Sequence, residues 1–130
     1  MTLPGQLSIF DALREPMIRQ PVDPHGSVLQ GEAQESFRLP HPRYARDYAM
    51  IELHPAASGL WMWGVSLQTD AGFGCGYKVG EKWGRFARSR DDALHYAVEE
   101  IKGRLANQSC DLRHCPSIKK IIAWAEDLKP

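Results

Sequence analysis

Net charge is missing from this chain: 16 Lys and Arg stand against 16 Asp and Glu, and the formal sum is zero. A molecule with no surplus charge has no long-range attraction for nucleic acid or an anionic membrane, so any such contact has to come from a local patch. Long apolar runs are missing too, since no segment approaches the roughly 18 apolar residues of a membrane-spanning helix. Near the start, Pro4 and Gly5 stand where a secretory signal would carry Lys or Arg and then an unbroken apolar stretch. The expectation is a cytoplasmic protein, neither exported nor membrane-bound. Cysteine is scarce: Cys75, Cys110 and Cys115 are an odd count at irregular spacing, which does not suggest a disulfide framework and suits a reducing compartment.

Catalytic signatures are equally absent. There is no Gly-rich phosphate loop ending in Gly-Lys-Ser/Thr, no nucleophile elbow and no His-Glu-x-x-His pair. Cys110, His114 and Cys115 bring soft ligands together, yet zinc wants a tetrahedral set and neither the Cys-x-x-Cys knuckle nor the paired-His helix spacing is there. No metal or other cofactor is expected. His41, His54, His95 and His114 have no spaced partner, and Asp91-Asp92 and Glu99-Glu100 read as helix-start charges and a solvated helix face. A non-enzymatic protein is the expectation.

What is present is enough for one core. The chain has 130 residues, 43% of them hydrophobic and 25% charged, the balance of one globular domain. Six of its nine prolines, Pro4, Pro16, Pro21, Pro24, Pro40 and Pro42, fall before residue 43. Proline removes a backbone donor and restricts its neighbour, so this stretch cannot hold a long helix or an inner strand. Residues 1–43 therefore read as a flexible arm, with residues 14–43 as linker and Leu7 to Arg14 as its only turn of local order. Residues 44–130 read as the compact domain.

From Tyr48 the pattern alternates with period two: Ala49, Ile51 and Leu53 lie on one face of a strand ending at His54-Pro55. Leu60 to Gln68 is a second strand, with Trp61, Trp63, Val65 and Leu67 on one face. Turn residues Thr69 to Gly72 lead into a third, Phe73 to Val79, whose Gly74 and Gly76 leave a face that another backbone or a flat ligand can approach. A short strand, Gly84 to Arg88, completes a meander. Ser89 and Asp92 form a capping-box-like start to a helix with Leu94, Ala97, Val98, Ile101 and Leu105 on one side. Ser117 opens a second helix with the stripe Ile118, Ile121, Ile122, Ala125 and Leu128. The predicted class is α+β: an antiparallel sheet of three to four strands followed by two helices, behind the arm.

Two groups of residues bear on function. Gln6-Leu7-Ser8-Ile9-Phe10 resembles the bacterial sliding-clamp-binding peptide, Gln-Leu-Ser/Asp-Leu-Phe. The resemblance covers five residues and implies that Gln6 hydrogen-bonds at a pocket rim while Leu7, Ile9 and Phe10 fill apolar subsites, with Ile9 departing from the commoner Leu. It implies an accessory protein of DNA metabolism recruited to the clamp, and the small size suits a phage, plasmid or other mobile element. The alternative for the peptide is an amphipathic turn folded back on the core. The second group is basic and aromatic: Lys78, Lys82, Trp83, Arg85, Arg88 and Arg90, with Tyr77 and Phe86 among them and only Glu81 opposed between 77 and 90. Cations for phosphates and flat rings for bases are what binding of single-stranded DNA or RNA requires, whereas core aromatics beside a solvated cationic edge would show the same composition. Gly72 to Val79 resembles part of an RNA-recognition-motif strand without its leading Lys or Arg. Residues 48 to 105 also resemble the small HicB-type antitoxin fold in architecture, which implies a protein-binding inhibitor as the alternative function.

Overall fold

The structure, a computed structural model, describes residues 16–70, 72–106 and 115–128. The clamp-like peptide Gln6 to Phe10, the turn from Leu7 to Arg14, and Cys110 and His114 lie outside them. The fold is α+β. Its strands are β1 (Ile18–Arg19), β2 (Glu35–Pro40), β3 (Asp47–Pro55), β4 (Trp61–Gln68), β5 (Gly74–Gly76) and β6 (Arg85–Phe86), and its helices are α1 (Arg90–Ala106) and α2 (Pro116–Leu128). An antiparallel sheet runs β2-β3-β4-β5, and β1 pairs with β6 in a separate two-stranded ribbon.

The main core follows from the alternation in the two longest strands. Ala49, Ile51 and Leu53 of β3 sit opposite Leu67, Val65 and Trp63 of β4, and all six are buried against the apolar stripes of both helices. In α1 that stripe is Leu94, Ala97, Val98, Ile101 and Leu105, as periodicity requires. The helix starts as expected, with the Asp92 N–H donating to Ser89 Oγ at 3.1 Å. In α2 the start is Pro116 rather than Ser117; proline suits the first helical position because its missing donor has no partner there anyway. Ser117 is buried instead, and its hydroxyl accepts the Asp70 N–H at 3.2 Å across the fold.

Three expectations are corrected. Residues 16–43 are not a linker: Glu35–Pro40 is an edge strand on β3, from Glu35 opposite Leu53 to Leu39 opposite Ala49, with a register shift at Pro40. An edge strand ending in proline is what the missing donor allows. The segment between β1 and β2 is also docked, because Gln20, Asp23 and Leu29 donate to the carbonyls of Gly84, Lys82 and Val79 at 2.7, 3.0 and 2.7 Å. The folded unit thus begins well before residue 44. The third strand is shorter than expected, three residues only. The fourth does not extend the meander but turns away to pair with β1, with Trp61 and Ala87 exchanging both backbone bonds at 2.8 Å.

Two glycines make this docking possible. Gly64 leaves room for the Tyr77–Val79 backbone to cross the sheet, since a Cβ there would lie 2.9 Å from the Val79 nitrogen. Gly84 has φ +67° and a Cβ there would meet the Gln20 carbonyl oxygen at 2.1 Å. Under the docked segment lies a second, smaller apolar cluster of Ala56, Met62, Val79 and Phe86, to which Ile18, Leu29 and Ala33 contribute from the supposed linker. Cys115 is buried and disulfide-bonded, and Cys75 is a half-buried free thiol. No helix among the described residues is long and apolar enough to cross a membrane.

Candidate functional site

The six residues expected to bind nucleic acid do not form one open cationic face. Lys78 leaves β5 and returns over the outer side of the sheet, where its Nζ lies 3.0 Å from the buried carboxylate of Glu52. Arg90, the first residue of α1, grips Glu35 of β2 through Nε and NH2 at 2.9 and 2.7 Å and Asp91 through NH1 at 2.9 Å. Its guanidinium also lies over the Phe37 ring, so it serves as a clasp between helix and edge strand. Trp83 is half-buried: its indole N–H donates to the Lys78 carbonyl at 2.8 Å, its edge meets Tyr77, and Lys82 Nζ sits 5.1 Å from its ring centroid. Arg88 is exposed.

Arg85 belongs to a buried network centred on Glu100. The inward turn of α1 that carries Glu100 faces Trp63 of β4, Tyr77 after β5 and Arg85 of β6. The carboxylate accepts from the Tyr77 hydroxyl at 2.8 Å, Arg85 NH1 at 2.7 Å, Arg104 Nε at 3.2 Å and the Trp63 indole N–H at 3.3 Å. The Tyr77 hydroxyl also accepts from Arg85. Burial first, and then the neighbouring Glu100 charge, push the Tyr77 hydroxyl far above its ordinary range. A cleft of about 330 Å³ opens beside this network between Arg19, Val22, Trp83 and Arg104. Of its three arginines, Arg85 and Arg104 are already committed to Glu100, as a charged group taken out of water must be, and Arg19 stands exposed at its rim. The local positive surplus between 77 and 90 is therefore largely cancelled by Glu35, Glu52 and Glu100, which lie 55, 26 and 15 positions away from their partners. Nothing in the linear order of residues announces those pairings.

A second polar centre, which sequence reasoning passed over, surrounds Asp70 at the end of β4. The loop from His41 to Arg46 is closed by the His41 N–H donating to the Arg46 carbonyl at 3.0 Å. His41 Nδ1 accepts the backbone N–H of Arg43 at 3.0 Å and of Tyr44 at 3.3 Å, while Nε2 faces Asp70 Oδ1 at 3.1 Å. Accepting at Nδ1 and donating at Nε2 is the pattern of the neutral ring, which here shapes the loop. Asp70 also accepts from Arg46 NH2 at 2.8 Å and the Tyr48 hydroxyl at 2.6 Å. The Tyr48 hydroxyl first, then His41 and Arg46, hold its carboxyl below the usual carboxylate range against the opposing effect of desolvation. The same bond raises the Tyr48 hydroxyl above its ordinary value. Here the centre is open: Asp70 is 49% exposed along its side chain, and a cleft of about 470 Å³ is lined by Arg43, Tyr44, Arg46, Tyr48 and Asp70. Two Arg and a Tyr packed between His41-Pro42 and Asp47 were the available signal.

Among the described residues no group of three His, Cys, Asp or Glu is placed to hold a metal ion. A third groove, of about 540 Å³, runs along the outer sheet face over Met50, Ser66, Gly74 and Gly76, where the glycines leave the strand backbones bare. Compared with protein-family models, with curated proteins and with solved structures, the chain matches none.

Proposed function

We propose that this chain is a non-enzymatic accessory protein of DNA metabolism that docks on the bacterial sliding clamp through Gln6, Leu7, Ser8, Ile9 and Phe10 and contacts single-stranded nucleic acid through its folded unit. The observation that carries the proposal is the peptide itself, a polar rim residue followed by three apolar anchors, standing N-terminal to the first strand at Ile18. A few apolar side chains entering preformed pockets supply most of the energy of such an interface. The non-enzymatic part is supported by the engagement of the titratable groups: Glu100, Glu52 and Glu35 each hold a cation, and both ring nitrogens of His41 are occupied.

A peptide spanning Thr2 to Arg14 is expected to bind purified bacterial clamp at micromolar strength. Leu7→Ala with Phe10→Ala should cost about 2–4 kcal/mol or more and abolish the signal. Undiminished binding by the double variant would sink the motif reading.

A second reading is favoured by one observation. Because Lys78, Arg85 and Arg90 are neutralised internally, the hairpin is less suited to phosphates than its composition implies, and a protein-binding inhibitor or antitoxin-like module fits a near-neutral surface. Pull-downs from bacterial lysate with and without residues 1 to 13 separate the two. A partner lost with the peptide supports the clamp; the same partner kept without it supports the inhibitor.

A further inference from the structure

We propose that the His41–Arg46 loop, with Tyr48, Asp70 and Lys120, is a binding site for single-stranded nucleic acid in which Tyr44 stacks on a base and Arg43 and Lys120 take the flanking phosphates, while Arg46 stays bonded to Asp70. The proposal deepens the nucleic-acid half of the reading above and moves its location from the hairpin to this loop, independently of the clamp peptide. Tyr44 is 64% exposed, one of two large apolar side chains so exposed among the described residues. It is not held loosely, for its backbone N–H is bonded to the buried His41 ring and its own ring lies 4.6 Å from that imidazole. A fixed, exposed ring is a stacking platform whose ordering cost is already met in the free protein.

The charges around it are arranged for an anion. Arg46 CZ lies 5.9 Å from the Tyr44 ring centroid and 5.6 Å from that of Tyr48, and Lys120 Nζ from the start of α2 lies 5.7 Å from the Tyr48 ring. Arg43, exposed, completes the set, and it lines the same cleft. Among the described residues lining the cleft, Asp70 is the one carboxylate, set against Arg43 and Arg46, with Lys120 beside Tyr48. That carboxylate receives Tyr48, His41 and Arg46, so Arg46 is fixed by its own pairing and Arg43 and Lys120 stand outside it. Arg43 and Lys120 contrast directly with Arg85 and Arg90, whose guanidiniums are spent on internal carboxylates. An acidic peptide would use the cations but not the ring, whereas every nucleobase has a face to lay on Tyr44.

The test uses the full chain and fluorescently labelled 20-mers of thymidylate and uridylate, read by anisotropy at low salt and across a salt series. Binding is expected. Tyr44→Ala should weaken it by about 5- to 150-fold while Tyr44→Phe retains it, the span that loss of one base stack covers. Arg43→Gln and Lys120→Gln should each flatten the slope of log K against log salt by about 0.7. Lys82→Gln with Arg88→Gln, on the hairpin, should change little, and Leu7→Ala with Phe10→Ala should change nothing, so that loss of clamp docking is told apart from loss of this site. The proposal is overturned if neither oligonucleotide binds. It is equally overturned if Tyr44→Ala binds like the parent, if the hairpin pair alone abolishes binding, or if oligoglutamate of matched charge competes as well as unlabelled oligonucleotide.

Discussion

Glu100 and Asp70 gather nearly the same partners, yet they make opposite kinds of place. Each carboxylate accepts from a tyrosine hydroxyl and a guanidinium, and each lies beside an aromatic ring over which an arginine is stacked. Glu100 has its side chain 13% exposed and spends every lone pair inward, on Trp63, Tyr77, Arg85 and Arg104. Asp70 keeps about half of its side chain in water and has more cation around it than it neutralises. The lesson is that composition does not distinguish a structural ion cluster from a binding surface. Burial of the carboxylate and the balance of its neighbours do.

Glu100→Ala should break the comparison most severely. It strands Arg85 half-buried and leaves Tyr77 and Trp63 without an acceptor, and a loss of about 3 kcal/mol or more is expected in urea unfolding, as when one partner of a buried pair is removed. Asp70→Ala, the matched change at the open centre, should move the thermal midpoint far less. Equal losses would erase the distinction between the two.

Next in size is Gly84→Ala. The left-handed backbone and the Gln20 carbonyl at 2.1 Å from the added methyl should force the docked segment off β6 at a cost of about 2–3 kcal/mol. If that segment is what keeps the Glu100 network dry, amide exchange should accelerate at Arg85 and Phe86 and stay unchanged at His41 and Arg46. Trp83→Ala is expected to cost about 2 kcal/mol, below the cost of a fully buried indole, because Trp83 is half-covered and loses one hydrogen bond and one edge contact.

The smallest effects lie in pH, and they fall at opposite ends of the scale. Asp70 has a lowered folded-state value, so the stabilisation it contributes is present above the ordinary carboxylate range and is lost as pH falls through the folded value. Glu35, held low chiefly by its bond to Arg90, acts in the same acid window. Tyr77 is raised above its ordinary 10.0, so its contribution is present below that pH and is lost as pH rises through the folded value. Unfolding midpoints measured from acid to alkaline pH should show Tyr77→Phe flattening the alkaline end alone, and Asp70→Asn flattening the acid end while also releasing the raised Tyr48 hydroxyl at the alkaline end.

Much of the helical layer and the two central strands was legible, because Ile51, Leu53, Val65, Leu67, Leu94, Val98 and Ile101 obey the period of their element and are all buried. The arm was misread for a physical reason. Prolines rule out an inner strand, and they do not rule out an edge strand or an irregular segment whose remaining donors bond singly to another loop, as Gln20, Asp23 and Leu29 do. The ion pairs of Lys78, Arg85 and Arg90 were not legible because their counter-charges arrive from β3, α1 and β2, and only the fold brings Glu35 to Arg90. The Asp70 centre was the reverse case: its loop was short and dense with Arg and Tyr, but its organising residue, His41, looks isolated until Asp70 is placed beside it.

The pairing of β1 with β6 also sets the length of a leash. Because the body is fastened from Met17 onward, with Met17 packed on the core and Ile18 paired to Phe86, six residues separate Phe10 from it, and even fully stretched that span reaches only about 25 Å. A peptide seated on a partner through Leu7, Ile9 and Phe10 would hold the body at a local concentration on the order of millimolar over the neighbouring surface. A second contact too weak to register in dilute solution would then be substantially occupied, and its measured strength would depend on inserting or removing residues between Phe10 and Met17 rather than on any residue that touches the partner.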